Sequence, residues 1–278
     1  MSTIEHLQFL HFDTYNQWFS TIQALINKTN STPFNCTLNL PYQLTKVKKI
    51  YLKSVELPVG FYNIRAENGS NTLTITIGGT YTATITVTPA QYTITTLIAA
   101  INTALAATTV FTTNSSYLPV FSVSNQNVVV TVPGQTLVNI SLNNTVLTNI
   151  VLGFTANYPS ILQPFNYVVS PANYNLAYDT YISIYFPNVN ALSVAATGQN
   201  MTFKVPFSGS NSTIFYNVEN LSFAQYIELT EYNFILSSIK LIVYDRFGYQ
   251  INNNNLDWSF TLAFDRDLTT NNNAHTYY

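Results

Sequence analysis

Residues 239–267, IKLIVYDRFGYQINNNNLDWSFTLAFDRD, divide into an apolar run, a polar link and an alternating run. In the last part Leu256, Trp258, Phe260, Leu262 and Phe264 point one way, while Asp257, Ser259, Thr261, Ala263 and Asp265 point the other, because successive side chains leave a strand on opposite faces. Such a strand covers a core on one face only. Asp245-Arg246-Phe247-Gly248 has the residue types of a tight turn, and Asn252 to Asn255 read as a polar loop.

Short runs of the same grammar precede this pair: DTYISIYFP, MTFKVPF, STIFYNV and YIELTE follow one another from Asp179, at intervals that suggest a sandwich rather than a parallel sheet. Further upstream, NCTLNLP and KVKKIYLKSVELPVG are extended segments closed by Pro58 and Gly60. Lys46, Lys48, Lys49 and Lys53 lie in the second, and are read as charges guarding an exposed strand edge; the alternative is a basic patch for an acidic partner. At the N-terminus, DTYNQWFSTIQALIN places Tyr15, Trp18, Phe19, Ile22, Leu25 and Ile26 on one stripe behind an Asp13 N-cap, which predicts an amphipathic helix. That helix either covers the body of its own domain or docks as an arm on a neighbouring subunit.

The middle of the chain differs. NTLTITIGGTYTATITVTP alternates on both sides of Gly78-Gly79 and predicts a hairpin whose second face is threonine. Thr93 caps a helix with Ile94, Leu97, Ile98, Ile101 and Leu105 on one stripe. Strands return in PVFSVS, NVVVTV and LVNIS, giving a small α+β unit over 67–165 between body segments 1–66 and 166–278.

Charge limits what these elements do. The 278 residues include 12 acidic and 10 basic side chains, 8% charged against about 25% in an ordinary domain, yet 47% are apolar and 14% aromatic, so a large core is available. Residues 68–178 contain no Asp, Glu, Lys, Arg or His, and general acid and base catalysis draws mainly on those groups. Net charge is −2, with no basic cluster for nucleic acid. The single Cys36 forms no internal disulfide, and His6, His11 and His275 lie near the ends, far in sequence from any zinc-type spacing. Glu228, Glu231, Asp245, Asp257, Asp265 and Asp267 are weighed as a carboxylate pair for glycoside hydrolysis, and Asp265 with Asp267 as a calcium site; solvated surface is the preferred reading of all six. No residue is assigned to catalysis, a cofactor or a metal. No apolar run reaches the roughly 20 residues of a membrane span, and the start, with Glu5 and no Lys or Arg before Lys28, lacks the charge of a signal peptide. Synthesis in a cytoplasm is expected. Ten N-x-[ST] sequons are attributed to the Asn, Ser and Thr content rather than to glycosylation.

The 239–267 segment resembles the last two strands of jelly-roll capsid proteins of large double-stranded DNA viruses and virophages, with an apolar strand, a D-R-x-G turn and an N-x-L-D-x-S-F-x-L strand. Upstream, Glu56, Leu57, Pro58, Phe61 and Tyr62, then Tyr92, Thr93, Leu97, Ile101 and Asn102, then Leu152, Gly153 and Phe154 fall in an order similar to that of minor capsid and vertex proteins of those viruses. The resemblance implies a mainly β fold, a single jelly-roll β-sandwich carrying the insertion. It implies a structural, non-enzymatic penton subunit, homopentameric at the icosahedral vertices of a virion and contacting the major capsid protein, with no cofactor. The insertion is the expected contact for a host surface receptor. The alternatives are a minor (cement) capsid protein between major capsomers, and a host-attachment or glycan-binding β-sandwich module.

Overall fold

Period-two apolar patterning, with Val, Ile, Tyr and Thr in excess, makes strands the natural state of most of this chain. The computed structural model describes residues 7–13, 34–154, 162–163, 165–189, 203–207, 213–219, 221, 224–229, 235–254 and 256–267. It divides into one unit built from both ends of the chain, residues 1–61 and 180–278, and a second formed by residues 62–179.

The body strands before the insertion are β1 (Leu7–Asp13), β2 (Asn35–Thr45) and β3 (Val47–Pro58). The inserted unit holds β4 (Thr72–Ile77), β5 (Tyr81–Thr86), β6 (Val120–Ser124), β7 (Asn127–Thr131), β8 (Val138–Leu142), β9 (Leu162–Gln163) and β10 (Tyr167–Val169). After it come β11 (Tyr181–Tyr185), β12 (Phe203–Pro206), β13 (Thr213–Asn217), β14 (Tyr226–Glu228), β15 (Ile235–Tyr244) and β16 (Ser259–Arg266).

The body forms two antiparallel sheets, ordered β1-β16-β3-β13, with β14 also on β3, and β12-β11-β15-β2. β13 pairs with Ser54–Pro58 and β14 with Lys49–Tyr51, so the two share one place in the sheet as an interrupted strand. Counted that way, the first body strand pairs with the last, β2 with β15, β3 with β13 and β14, and β11 with β12. This nested pairing is that of a long hairpin rolled over on itself, a jelly roll. The insertion occupies the connection between its third and fourth strands.

The chain changes sheets at a single residue. Lys46, with φ of 55°, stands between β2 and β3, and Arg266 fixes the corner by donating from Nε to the Thr45 carbonyl (3.0 Å) and from Nη2 to Thr45 Oγ1 (3.2 Å). Between the sheets lie Ile50, Leu52, Val55, Leu57, Phe260, Leu262 and Phe264 from one side and Leu38, Leu44, Ile184, Ile239, Leu241 and Val243 from the other, all buried. Cys36 belongs to this core, and burial pushes its thiol up to about 12. Because the thiolate is the reactive form, a disulfide reagent at pH 8 is expected to leave the folded protein unmodified and to titrate one thiol after denaturation; rapid native reaction would contradict the core position. The folded pKa lies above the unfolded value of about 8.5, so the thiol's contribution to stability is complete below that pH and is lost as pH rises towards 12.

Several expectations change. Leu7–Asp13 is a strand, in register with Asp265 to Ser259 of β16, and Asp13 is its last residue; the amphipathic helix expected after it lies outside the described residues, as does the tail after Asp267. The four lysines guard no edge, because β3 is flanked by β16 on one side and by β13 and β14 on the other. Lys48 Nζ lies 2.9 Å from Asp267 Oδ2, and Lys53 donates to the Val218 and Glu219 carbonyls. The 252–255 loop is not uniformly solvated: Asn253 is buried, donates from Nδ2 to the carbonyls of Pro58 (3.1 Å) and Leu256 (3.3 Å), and accepts at Oδ1 from Gly60 N (2.7 Å).

The insertion is longer than 67–165, because the segment assigned to the body from Asn166 pairs inside it. Tyr167–Val169 lies antiparallel to Val129–Thr131, and Tyr174 N and Asn175 N donate to the Gln126 and Val151 carbonyls. Its two sheets are β5-β4-β8-β9 and β10-β7-β6. Helix α1 (Ile94–Ala106) begins with a reciprocal Thr93–Thr96 capping box and buries Leu97, Ile98, Ile101 and Leu105. Asn102 fastens it to β6, donating to the Phe121 carbonyl (2.9 Å) and accepting from Phe121 N (2.8 Å). The chain then passes through α2 (Thr109–Thr113) and, after β8, a π-helical turn at Val146–Val151. Gly153 follows with φ of 82°, and a Cβ there would stand 2.2 Å from the Ala172 carbonyl oxygen; only glycine allows that approach.

Candidate functional site

Three places concentrate chemistry, and each follows from strand register. The first is the outer face of the five-stranded sheet. Register aligns Phe9, Ala263, Tyr51 and Tyr226 in one row across β1, β16, β3 and β14. The Tyr51 and Tyr226 rings are 5.4 Å apart, and Phe9 and Tyr226, at opposite edges, are about half exposed. Partial burial, ahead of the surrounding charges, raises the Tyr51 hydroxyl above the ordinary tyrosine range. Ala263, placed on the solvent side by alternation, is nevertheless buried, since its row neighbours are aromatic.

The adjoining row is Leu7, Asp265, Lys49 and Glu228. Lys49 thus stands between the two carboxylates, 3.9 Å from Glu228 Oε1 and 4.8 Å above the Tyr226 ring. Asp265 and Glu228 stand two strands apart in the row with Lys49 between them, paired with Glu228, so an ammonium occupies the place where a glycosidase's carboxylates flank substrate and water. Asp267 is paired with Lys48. Asp245 is buried in the β15–β16 connection, where its Oδ1 accepts from Phe247 N and Tyr249 N, both at 2.9 Å; it is a turn-former. Glu231 lies outside the described residues. Among those residues no group of three His, Cys, Asp or Glu side chains is placed to hold a metal, and no helix is long and apolar enough to cross a membrane.

The second place lies within the 62–179 unit, where its first and last few residues meet. Arg65 Nη2 lies 2.7 Å from Asp179 Oδ2, and both side chains are almost fully buried. Tyr178 packs beside them, its ring 5.9 Å from the guanidinium carbon. Its hydroxyl donates to the Asn63 carbonyl (2.7 Å) and accepts from Asn68 Nδ2 (3.2 Å). Burial, with the Asp179 charge added, raises the Tyr178 hydroxyl despite the opposing guanidinium and the Ser70 and Asn68 hydrogen bonds. Ser70 Oγ accepts from Arg65 N and donates to the Arg65 carbonyl. Residues more than 100 positions apart are therefore tied by one polar knot, and the unit's only other charged residue is the exposed Glu67. Glu67 and Asp179 bound the charge-free run, and the available signal for the pair was that Arg65 is the nearest cation to Asp179 on the far side of that run.

The third place is the uncharged surface of that unit. On β4 and β5 the threonines face solvent as a ladder, Thr74 Oγ1 to Thr84 Oγ1 at 2.8 Å and Thr76 Oγ1 to Thr82 Oγ1 at 2.9 Å. The β10-β7-β6 sheet instead exposes Phe165, Tyr167, Val169, Val120 and Val123.

The motif residues have structural roles: Leu57, Phe61, Leu97, Ile101, Leu152 and Phe154 are core, Phe61 meeting the Phe207 ring edge-on at 5.8 Å. Tyr92 N donates to Asn63 Oδ1. Fold and surfaces together define a jelly-roll β-sandwich with a long insertion and large uncharged faces.

Neither family models nor curated proteins give a match to this chain. Among solved structures it is similar to the crystal structure of the mavirus penton protein, at 15% identity and a TM-score of 0.46, over 93% of this chain and 99% of that one.

Proposed function

We propose that the chain is a structural subunit of a viral capsid and that it assembles as a homopentameric penton at the five-fold vertices, alongside the major capsid protein. The observation that carries this reading is the nested jelly-roll strand pairing, with the insertion between its third and fourth strands, in a chain whose motif order resembles that of capsid vertex proteins. A cyclic ring needs a heterologous interface, two different surfaces that fit one another. The five-stranded sheet supports this requirement, because its opposite outer strands each present an exposed ring, Phe9 on β1 and Tyr226 on β14. Aromatic residues of this kind are enriched where subunits meet.

Sedimentation velocity and negative-stain imaging of the purified chain test the reading. Five-membered rings are expected, and Phe9→Asp shifts the population to monomer while leaving the circular dichroism unchanged. A monomer at every concentration, alone and with the major capsid protein, overturns the proposal; a trimer overturns the vertex assignment.

A further inference from the structure

The face of the insertion's β10-β7-β6 sheet that points away from its core has no covering element among the described residues. Val168, Val130 and Phe121, directly opposite one another in register, are buried on the inner side. Alternation then sends Tyr167, Thr131 and Val120 outward as one row and Val169, Val129 and Ser122 as the next. Phe165 stands two residues before Tyr167, just ahead of β10: its ring is stacked with Tyr167 at 5.5 Å and 24° between planes, with 56% and 41% of the two residues exposed. Two rings stacked offset against each other in water leave their outer faces and edges open, and hydroxyls stand beside them at Thr131 and Ser122. With strands about 4.8 Å apart and like-facing residues about 7 Å apart along a strand, the surface is large enough for two pyranose rings.

We infer that this exposed aromatic pair is a binding site for an uncharged oligosaccharide, whose C–H faces pack on the open ring faces of Phe165 and Tyr167. Charge selects the ligand. Of the 118 residues in the unit only Arg65, Glu67 and Asp179 are ionisable as Asp, Glu, Lys, Arg or His, and Arg65 and Asp179 are consumed in their buried pair. The surface therefore offers no cation to a sialylated or sulfated glycan, while a neutral sugar loses nothing by its absence. Aromatic side chains suit such a ligand because one side of the contact is apolar and the rim is wet. A contiguous exposed apolar patch of this kind on a folded unit marks an interaction site. This inference goes beyond the capsid reading and does not depend on ring assembly.

Affinity electrophoresis of the full chain through gels containing mannan, β-1,3-glucan, xyloglucan or galactan is the test, with heparin and a polysialic acid as anionic comparisons. At least one neutral polysaccharide is expected to retard the protein, with less than a twofold change in apparent affinity between 0.05 and 0.5 M NaCl, since no counterions are released. Tyr167→Ala and Phe165→Ala should each weaken retardation at least tenfold with an unchanged melting temperature. Tyr167→Phe, which keeps the ring, should retain it. Four outcomes each overturn the site: no retardation by any neutral polymer, retardation by the anionic polymers alone, unchanged binding after Tyr167→Ala, or a Tyr167→Ala effect confined to self-association in sedimentation. Ring assembly in the same preparations reads the capsid proposal separately.

Discussion

Arg65→Met is expected to destabilise the 62–179 unit by about 3–5 kcal/mol, the usual cost of leaving one member of a buried ion pair without its counter-charge. Such a loss is a large share of the roughly 5–15 kcal/mol that holds a domain together. The Arg65–Asp179 contact is short, at 2.7 Å, and nearly sealed from water, so screening does not dilute it. Hydrogen exchange gives a unit-specific readout: amides in β4, β5 and β8 should lose protection while those in β15 and β16 keep theirs. The double variant Arg65→Met/Asp179→Leu should recover most of the loss, because no charge is then buried. If it is as unstable as the single variant, the packing of the arginine stem rather than its charge is responsible.

This pair also shows how the chain's low charge is used. A run of 111 residues without Asp, Glu, Lys, Arg or His excludes ordinary proton-transfer chemistry within it, and that much was visible without coordinates. That Asp179, at its far end, closes on Arg65, two residues before Glu67 at its near end, was not, because ion pairing between positions 65 and 179 is a property of the folded chain. The same division holds elsewhere. The β4–β5 hairpin and α1 follow directly from local patterning, since period-two and period-3.6 apolar spacing act within a few residues. Leu7–Asp13 is obscured because both faces carry apolar residues: Phe9 is exposed and Phe12 buried, and the polar Gln8 and His11 fall one on each face. Tyr167–Val169 has ordinary strand composition, and only its pairing with β7, nearly 40 positions away, places it in the insertion.

Polar side chains with structural duties were the least legible. Asn253, in a run of four asparagines, is buried while its neighbours Asn252 and Asn254 are exposed. What distinguishes it is two hydrogen bonds to the end of β3 and the turn after it, at Pro58 and Gly60, and a third to Leu256 in its own loop, and nothing in NNNN encodes which member will be turned inward. The lysines of β3 misled for a related reason. Edge protection and intramolecular pairing use the same residue types, and the choice depends on whether β13 and β14 cover that strand.

Phe260→Ala is expected to cost the body about 3–5 kcal/mol, in the range for a buried aromatic truncated to a methyl group. Phe260 is the centre of a run of rings. It stacks on Phe12 at 4.9 Å and on Trp258 at 4.8 Å, and Trp258 meets Phe34 edge-on at 5.7 Å. Those residues join the first and last strands of one sheet to the start of the other, so a cavity at Phe260 withdraws contacts from three strands at once. Neighbouring strands on both sides, β1 and β3, hold the backbone in register opposite Phe12 and Val55, which limits collapse into the space. Urea unfolding followed by tryptophan fluorescence measures the loss. Phe260→Leu should lose less than the alanine variant, and Leu256→Ala should change stability by no more than about 0.5 kcal/mol. Leu256 and Phe260 belong to the same alternating set in the sequence, yet Leu256 is 43% exposed and Phe260 1%. Equal costs for the two alanine variants would mean that β16 enters the core at residue 256 rather than at Trp258, and the body's two-sheet packing would have to be redrawn.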